Sequence, residues 1–189
     1  MLLGKPGLKV SPFCLGLVND WRSVPAAFDA GINFFFLSGD LHWPLYENLR
    51  RGLSDLLARG PKVRQQIVVA AATYVGGDYM MDPFCEAIHS VRNLKKLDLL
   101  VVGGVQAYDY SYRLTQLKEI AQKPLLGEAA IGMSFHDRKI AKKAFLKSGL
   151  DMCFARYNPV HPGAIKDLFP GVRQKRGRRP LLYNFKSTY

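Results

Sequence analysis

The chain has 189 residues and a formal net charge of +12, with 27 Lys and Arg residues against 15 Asp and Glu residues. A hydrophobic fraction of 48% is typical of a globular domain with its own core, and it argues against intrinsic disorder. No apolar run approaches the roughly 20 residues that span a bilayer, and the opening residues lack the apolar stretch of a secretory signal. The sequence therefore predicts one domain, residues 1–189, in the cytoplasm.

Seven short apolar runs are spaced along the chain. Hydrophobicity is continuous within each run, which is typical of strands buried on both faces of a parallel sheet. The runs cover residues 12–18, 32–37, 67–73, 97–104, 125–133, 150–157 and 181–185.

Segments with helical periodicity lie between these runs. The first stripe consists of Leu45, Leu49, Leu53, Leu56 and Leu57. A second follows Asp82 and Pro83, which suit a helix cap and a first helical turn. Two more, at 114–121 and 140–145, precede Pro124 and Ser148-Gly149. Repeated strand–helix units indicate an α/β fold, either a doubly wound sheet or a barrel, and periodicity does not choose between them.

The cysteines and the charge clusters carry weaker signals. Cys14, Cys85 and Cys153 are odd in number and lack a paired spacing, so we expect free thiols and no metal site. One basic cluster has helical spacing and indicates a solvated helix face: Arg138, Lys139, Lys142, Lys143 and Lys147. The other lies in a segment that reads as a loop and is a candidate site for acidic or phosphate groups: Arg173, Lys175, Arg176, Arg178 and Arg179. No nucleic-acid module motif accompanies either cluster.

Four motifs together resemble one enzyme family. GKPGLKVSPFCLG at 4–16 resembles the N-terminal hairpin and first strand of the aldo-keto reductases, and AAFDAGINFFF at 26–36 is similar to their first helix and second strand. IGMSFHD at 131–137 and YNPVHPGAIKDLFP at 157–170 resemble their fifth and sixth strand exits. The resemblance implies a TIM-type barrel that binds ligands at the C-terminal ends of its strands. It also implies a family that reduces carbonyls with NADPH, without a metal.

The family's chemistry needs a catalytic Asp, Tyr, Lys and His. The resemblance places the Asp at Phe36 and the Tyr at Leu41. It places the Lys at Tyr74, after Thr73, and the His at Gly103. All four catalytic residues are therefore expected to be missing. Without the Lys, an ordinary tyrosine titrates near 10 and is a poor acid at neutral pH.

Neighbouring residues are candidates for the vacant roles. Asp40 and His42 follow the second strand and Tyr74 ends the third, so these three are the candidate catalytic residues. For the cofactor, the resemblance matches Ser134 to a nicotinamide-binding serine and Tyr183 to the tyrosine that stacks on the ring. Phe135 and Phe154 replace that site's Asn and Gln. We expect no cofactor, or NADPH if the family's activity survives.

Seven strands are one fewer than a closed (β/α)8 barrel requires. The sequence therefore predicts an incomplete barrel with two unpaired edges, which favours a protein partner or self-association. Three functions remain open: a non-reducing binding or interaction protein, an NADPH-dependent reductase, and an enzyme with altered chemistry on the same rim.

Overall fold

The structure is a computed structural model that describes residues 1–3, 7–174 and 176–185. Its strands are β1 (Leu2–Leu3), β2 (Leu8–Lys9), β3 (Cys14–Leu15), β4 (Phe34–Ser38), β5 (Val68–Thr73), β6 (Leu99–Val105), β7 (Ala130–Phe135), β8 (Met152–Arg156) and β9 (Leu181–Phe185). Its α-helices are α1 (Ser23–Asp29), α2 (Glu47–Ala58), α3 (Pro61–Gln66), α4 (Asp82–His89), α5 (Tyr110–Ile120), α6 (Arg138–Lys147), α7 (Ala164–Asp167) and α8 (Phe169–Gln174). Short 3₁₀ turns cover Trp43–Tyr46 and Gly77–Tyr79.

Strands β3 to β9 form one parallel sheet in chain order. Each strand lies beside the strand that follows it in the sequence, as a barrel predicts and a doubly wound sheet does not. Within the described residues, β3 and β9 each have one neighbour in this sheet. The prediction of an incomplete (β/α) barrel of seven strands is confirmed.

The sheet is strongly curled, and ring contacts across its inner face show this. Phe36 in β4 meets Phe154 in β8 with ring centroids 5.4 Å apart, although the two strands are four positions apart in the sheet. In a flat sheet they would lie about 19 Å apart. Phe34 in β4 likewise lies 5.1 Å from Tyr183 in β9.

Two apolar layers follow from this curl. Side chains that point inward, such as Val68, Ala70 and Leu99, fill the barrel interior together with the aromatic rings. Side chains at alternate positions, such as Val69 and Leu100, pack beneath the helices. The continuous apolar runs arise because both faces of every central strand are covered.

Polar contacts join the first elements at the N-terminal end of the barrel. The Asn33 side chain accepts a hydrogen bond from the Ser11 amide at 2.7 Å. It donates to the carbonyls of Lys9 and Gln66 at 2.8 and 3.0 Å. The Tyr183 hydroxyl donates to the Ser11 carbonyl, so β9 is tied to the segment that precedes β3.

Several local predictions need correction. Asp82 lies inside α4, with Met81 before it and no side-chain cap. The segment predicted as a basic loop begins in helix, because Arg173 belongs to α8. Lys175 and residues 4–6 of the first motif lie outside the described residues. The stop predicted for α6 is confirmed, since Ser148 follows the helix and Gly149 takes a positive φ of 76°.

Candidate functional site at the C-terminal rim

The C-terminal ends of the parallel strands form one rim, where barrels of this type place their ligands. Alternation along the strands brings a defined set of residues to its inner side. These are Ser38, Tyr74, Gly103, Ser134, Arg156 and Phe185.

Asp40 connects the loop after β4 to the end of β5. Its Oδ2 atom accepts hydrogen bonds from the Thr73 hydroxyl at 2.7 Å, the Tyr74 amide at 2.8 Å and the Val75 amide at 3.3 Å. Its Oδ1 atom accepts from the Leu41 amide. Both carboxylate oxygens are therefore engaged in holding the backbone of two rim loops.

His42, the second candidate, lies differently. It is exposed and has a left-handed φ of 62°, immediately before the 3₁₀ turn at Trp43–Tyr46. Among the described contacts, none joins its imidazole to the Asp40 carboxylate. The two residues therefore lie on one loop, but the described contacts do not join their side chains. The catalytic roles of Asp40, His42 and Tyr74 stay predictions.

The Tyr74 ring fills the space above Gly103. A Cβ at position 103 would lie 2.4 Å from Tyr74 Cε1 and 2.6 Å from Cζ, far inside ordinary contact distance. The rim therefore cannot hold both this ring and a side chain at 103 without rearrangement. Two positions that the resemblance assigns to a Lys and a His are occupied by one aromatic ring and a glycine that accommodates it.

Arg113 in α5 holds the backbone beside the contact between Tyr74 and Gly103. It is not among the residues predicted from the sequence. Its guanidinium is buried and donates to the carbonyls of Gly103 at 2.9 Å and Val75 at 3.3 Å. Burial lowers its pKa, and Asp109 at 3.6 Å partly compensates. One signal was present in the sequence: Arg113 lies four residues before the buried Leu117, on the apolar face of α5.

Two tyrosines in this region have raised pKa values: Tyr46, at the end of the 3₁₀ turn after β4, and Tyr74, which follows β5. Burial, with the neighbouring Tyr74 and Cys14, raises the pKa of Tyr46 to about 12. Burial and the nearby Asp40 raise the pKa of Tyr74. A general acid at neutral pH works best with a pKa near 7, so both shifts run in the wrong direction.

Ser134 and Tyr183 lie near each other on the inner face of the sheet, and their roles in binding a cofactor stay predictions. The register places both in one row, with Phe154 between them. The Ser134 hydroxyl accepts a hydrogen bond from the Gly104 amide at 3.0 Å. The Tyr183 ring is only 6% exposed, packs against Phe154 and Phe34, and points its hydroxyl at Ser11. The described neighbours therefore enclose most of this ring.

Arg156 is a rim cation that sequence reasoning also missed. It ends β8, and its guanidinium contacts the imidazole of His161. Its Nε atom is buried and has no hydrogen-bond partner among the described residues. The Phe185 ring at the end of β9 packs edge-on against His136 at 5.2 Å. Among the described residues, the inner side of the rim therefore combines the Tyr74 and Phe185 rings with small residues and the arginine at the end of β8.

Among the described residues, no three His, Cys, Asp or Glu side chains converge on a point that could hold a metal ion. None of the helices in that part of the chain combines the length and the hydrophobicity of a membrane-spanning segment.

Comparison with known proteins finds matches among solved structures. No family model matches the chain, and no curated protein matches it in sequence. A Bombyx mori aldo-keto reductase in complex with NADP aligns with a TM-score of 0.74 at 16% identity, over 98% of this chain and 65% of that one. An aldo/keto reductase from Klebsiella pneumoniae, in complex with NADP and acetate, aligns with 0.69 at 13% identity, over 87% and 61%. One from Brucella melitensis aligns with 0.69 at 14% identity, over 98% and 71%. The chain thus spans about two thirds of the length of these proteins.

Proposed function

We propose that this chain, which has the aldo-keto reductase fold, is a non-reducing binding or interaction protein. The packing of the Tyr74 ring over Gly103 carries the proposal. That contact occupies the part of the rim where the resemblance implies two catalytic side chains.

The acid–base properties of the rim support the same conclusion. Carbonyl reduction needs a proton donor beside the carbonyl oxygen, and the resemblance implies a lysine that lowers the pKa of a tyrosine. Here burial raises the pKa of both Tyr46 and Tyr74. The Asp40 carboxylate is engaged by backbone and hydroxyl donors of the rim loops.

NADPH binding is the alternative that the comparisons raise, because two of the similar structures are complexes with NADP. NADPH supplies a hydride in reductases of this fold. The Ser134 hydroxyl is engaged by the Gly104 amide, and the enclosed Tyr183 ring does not offer a stacking face. We therefore propose that the chain catalyses no NADPH-dependent reduction.

Two measurements on the same sample test this proposal. The first follows NADPH oxidation with 4-nitrobenzaldehyde, and no turnover above buffer is expected. The second follows thermal unfolding with increasing NADPH, where a ligand at a hundred times its Kd would add about 2.7 kcal/mol of stability. Gly103→His should not introduce activity, because a side chain at 103 would clash with the Tyr74 ring and would not supply the lysine that the resemblance implies for lowering the pKa of a tyrosine.

The opposite outcome would support an active rim. Turnover that Tyr74→Phe or Asp40→Asn abolishes, with NADPH stabilisation retained, would contradict the non-reducing proposal and assign those residues to catalysis. Stabilisation by NADPH without turnover would leave a cofactor-binding protein that does not reduce generic aldehydes.

A further inference from the structure

The positive charge of this chain is concentrated in its last third. Residues 138–189 contain 13 Lys and Arg against two Asp, whereas residues 1–137 contain 14 against 13. Almost the whole net charge of +12 therefore belongs to the part of the chain that begins with α6. Such an asymmetry indicates a polyanionic partner more specifically than the net charge does.

The fold gathers the described cations of α6, α8 and residues 176–180 on one outer surface, which we define as the basic wall. The basic wall thus consists of α6, α8 and residues 176–180. Arg138 of α6 pairs with Asp167 of α7 at 2.7 Å. Gly171 of α8 lies against the methylene groups of Lys142, where a Cβ would come within 2.8 Å of Cε. Close packing of α6 on α8 therefore joins the two basic clusters into one surface.

Carboxylates do little to neutralise the basic wall. Asp167 is used by Arg138, and Asp151 by Arg178. Several exposed cations have no carboxylate partner among the described residues: Lys139, Lys147, Arg173 and Arg176. Like charges at this density repel one another, so a bound polyanion would lower the electrostatic free energy of the wall.

An aromatic groove adjoins the basic wall and shares Arg173 with it. The groove has a volume of about 310 Å³ and is lined by Tyr157, Ile165, Phe169, Pro170 and Arg173. The rings of Tyr157 and Phe169 are half-buried and pack edge to face at 5.0 Å. A flat aromatic group could enter beside these rings while an attached anion meets Arg173.

We propose that the basic wall and its aromatic groove bind single-stranded nucleic acid, with phosphates along the cations and an unstacked base in the groove. Single-strand sites combine a positive track with aromatic side chains that accept bases of any sequence. A duplex keeps its bases stacked and out of reach of the groove. A membrane surface fits less well, because the outer face of α6 carries lysines at 139, 143 and 147 in place of an inserting apolar stripe. The proposal is independent of whether the rim is catalytic, because the wall lies outside the barrel.

Fluorescence anisotropy with a labelled dT20 oligomer tests the proposal on the full chain. Three probes of equal length are compared: dT20, an abasic deoxyribose-phosphate oligomer, and a 20-base-pair duplex. We expect dT20 to bind about tenfold more tightly than the abasic oligomer, since one stacked base is worth about that factor. Equal affinity for dT20 and the abasic oligomer, or tighter binding of the duplex, would overturn the proposal.

Matched variants locate the site. Lys139→Gln with Lys147→Gln removes two cations of the wall, so the slope of log K against log salt concentration should shrink by about 1.4. Lys62→Gln with Lys96→Gln removes two exposed cations elsewhere and should leave the slope unchanged. Phe169→Leu keeps an apolar side chain without the ring, and it should weaken dT20 about tenfold while leaving the abasic oligomer unaffected. Circular dichroism confirms that each variant is folded.

Two results would contradict the assignment. If both pairs of lysine variants changed the slope equally, the attraction would be general and the wall would not be the site. If the chain bound vesicles of phosphatidylserine and phosphatidylcholine in preference to dT20, the wall would be a lipid-binding surface.

Discussion

Adding a methyl group at Gly103 should destabilise this fold only while the Tyr74 ring is present. The new Cβ would lie 2.4 Å from Tyr74 Cε1, whereas carbon atoms in contact normally lie about 3.5–4.0 Å apart. The ring or the strand must therefore move by more than about 1 Å. Overpacking of this kind typically costs about 1–3 kcal/mol.

The geometry of the rim decides where in that range the cost falls. Tyr74 is 37% exposed, so its ring can turn outward and lose contacts without forcing the sheet apart. We expect a steric cost of about 1.5–2 kcal/mol. Alanine also lowers the conformational entropy of the unfolded chain, which stabilises the folded state by about 0.5 kcal/mol and offsets part of this cost. Gly103 has no positive φ, so alanine adds no backbone strain. Gly103→Ala should therefore lower the free energy of unfolding by about 1–1.5 kcal/mol.

A double-mutant cycle separates this clash from other effects. In a Tyr74→Ala background the space is open, and Gly103→Ala should become slightly stabilising, which gives a coupling of about 1.5–2 kcal/mol. Urea unfolding of the four proteins measures it. Gly16→Ala is the control, because nothing lies within 4 Å of its Cβ position. Additive effects of the two substitutions would show that the ring does not occupy the space above Gly103.

Three other predictions concern the rest of the molecule. Because the pKa of Tyr46 is raised to about 12, the unfolded chain loses that proton first, near pH 10, and stability should fall as pH rises from about 10 towards 12. Tyr46→Phe should make this fall shallower in urea unfolding series, and an unchanged profile would exclude Tyr46 as its source. Asn33→Ala removes three hydrogen bonds at the N-terminal end of the barrel, so it should lower the free energy of unfolding in urea by about 2–3 kcal/mol. The control, Asn48→Ala, removes one hydrogen bond and should lower it by less than about 1 kcal/mol. Phe13 and Leu17 beside the β3 edge are 71% and 56% exposed, so we expect the chain to sediment as an oligomer at micromolar concentration. Replacing both residues by serine should shift it towards monomer. A wild-type chain that sediments as a monomer would contradict this prediction.

The sequence predicts a central strand closely where both of its faces are buried. The continuous apolar run at 67–73 corresponds to β5, which is buried throughout, within one residue. The run at 181–185 coincides with the edge strand β9, although Asn184 in it is exposed. The run at 125–133 predicts a strand that begins too early, because Glu128 has a positive φ of 71° and β7 begins only at Ala130. Leu126 is buried in the preceding turn, and an apolar residue in such a turn looks the same in sequence as one in a strand.

Short helices and the rim's contacts were harder to predict. α3 has only six residues and α8 contains Pro170 and Gly171, so neither shows a clear apolar stripe. The position of Asp40 on the rim follows from the strand that precedes it. Its bond to the Thr73 hydroxyl, and the Tyr74 ring over Gly103, join residues about 30 positions apart. Contacts of that kind depend on how far the sheet curls, which no local pattern encodes.

The order of strands in the sheet has a consequence for how the chain acquires its structure. Each strand from β3 to β9 finds its neighbour a few tens of residues away, so successive pairings close small loops and cost little entropy. The hydrogen bond from Tyr183 to the Ser11 carbonyl is different, since it joins residues 172 positions apart. A bond worth about 1 kcal/mol cannot by itself offset the closure of so long a loop. It can form only after the intervening strands have paired and curled, so it belongs to the last stage of folding and depends on every pairing before it.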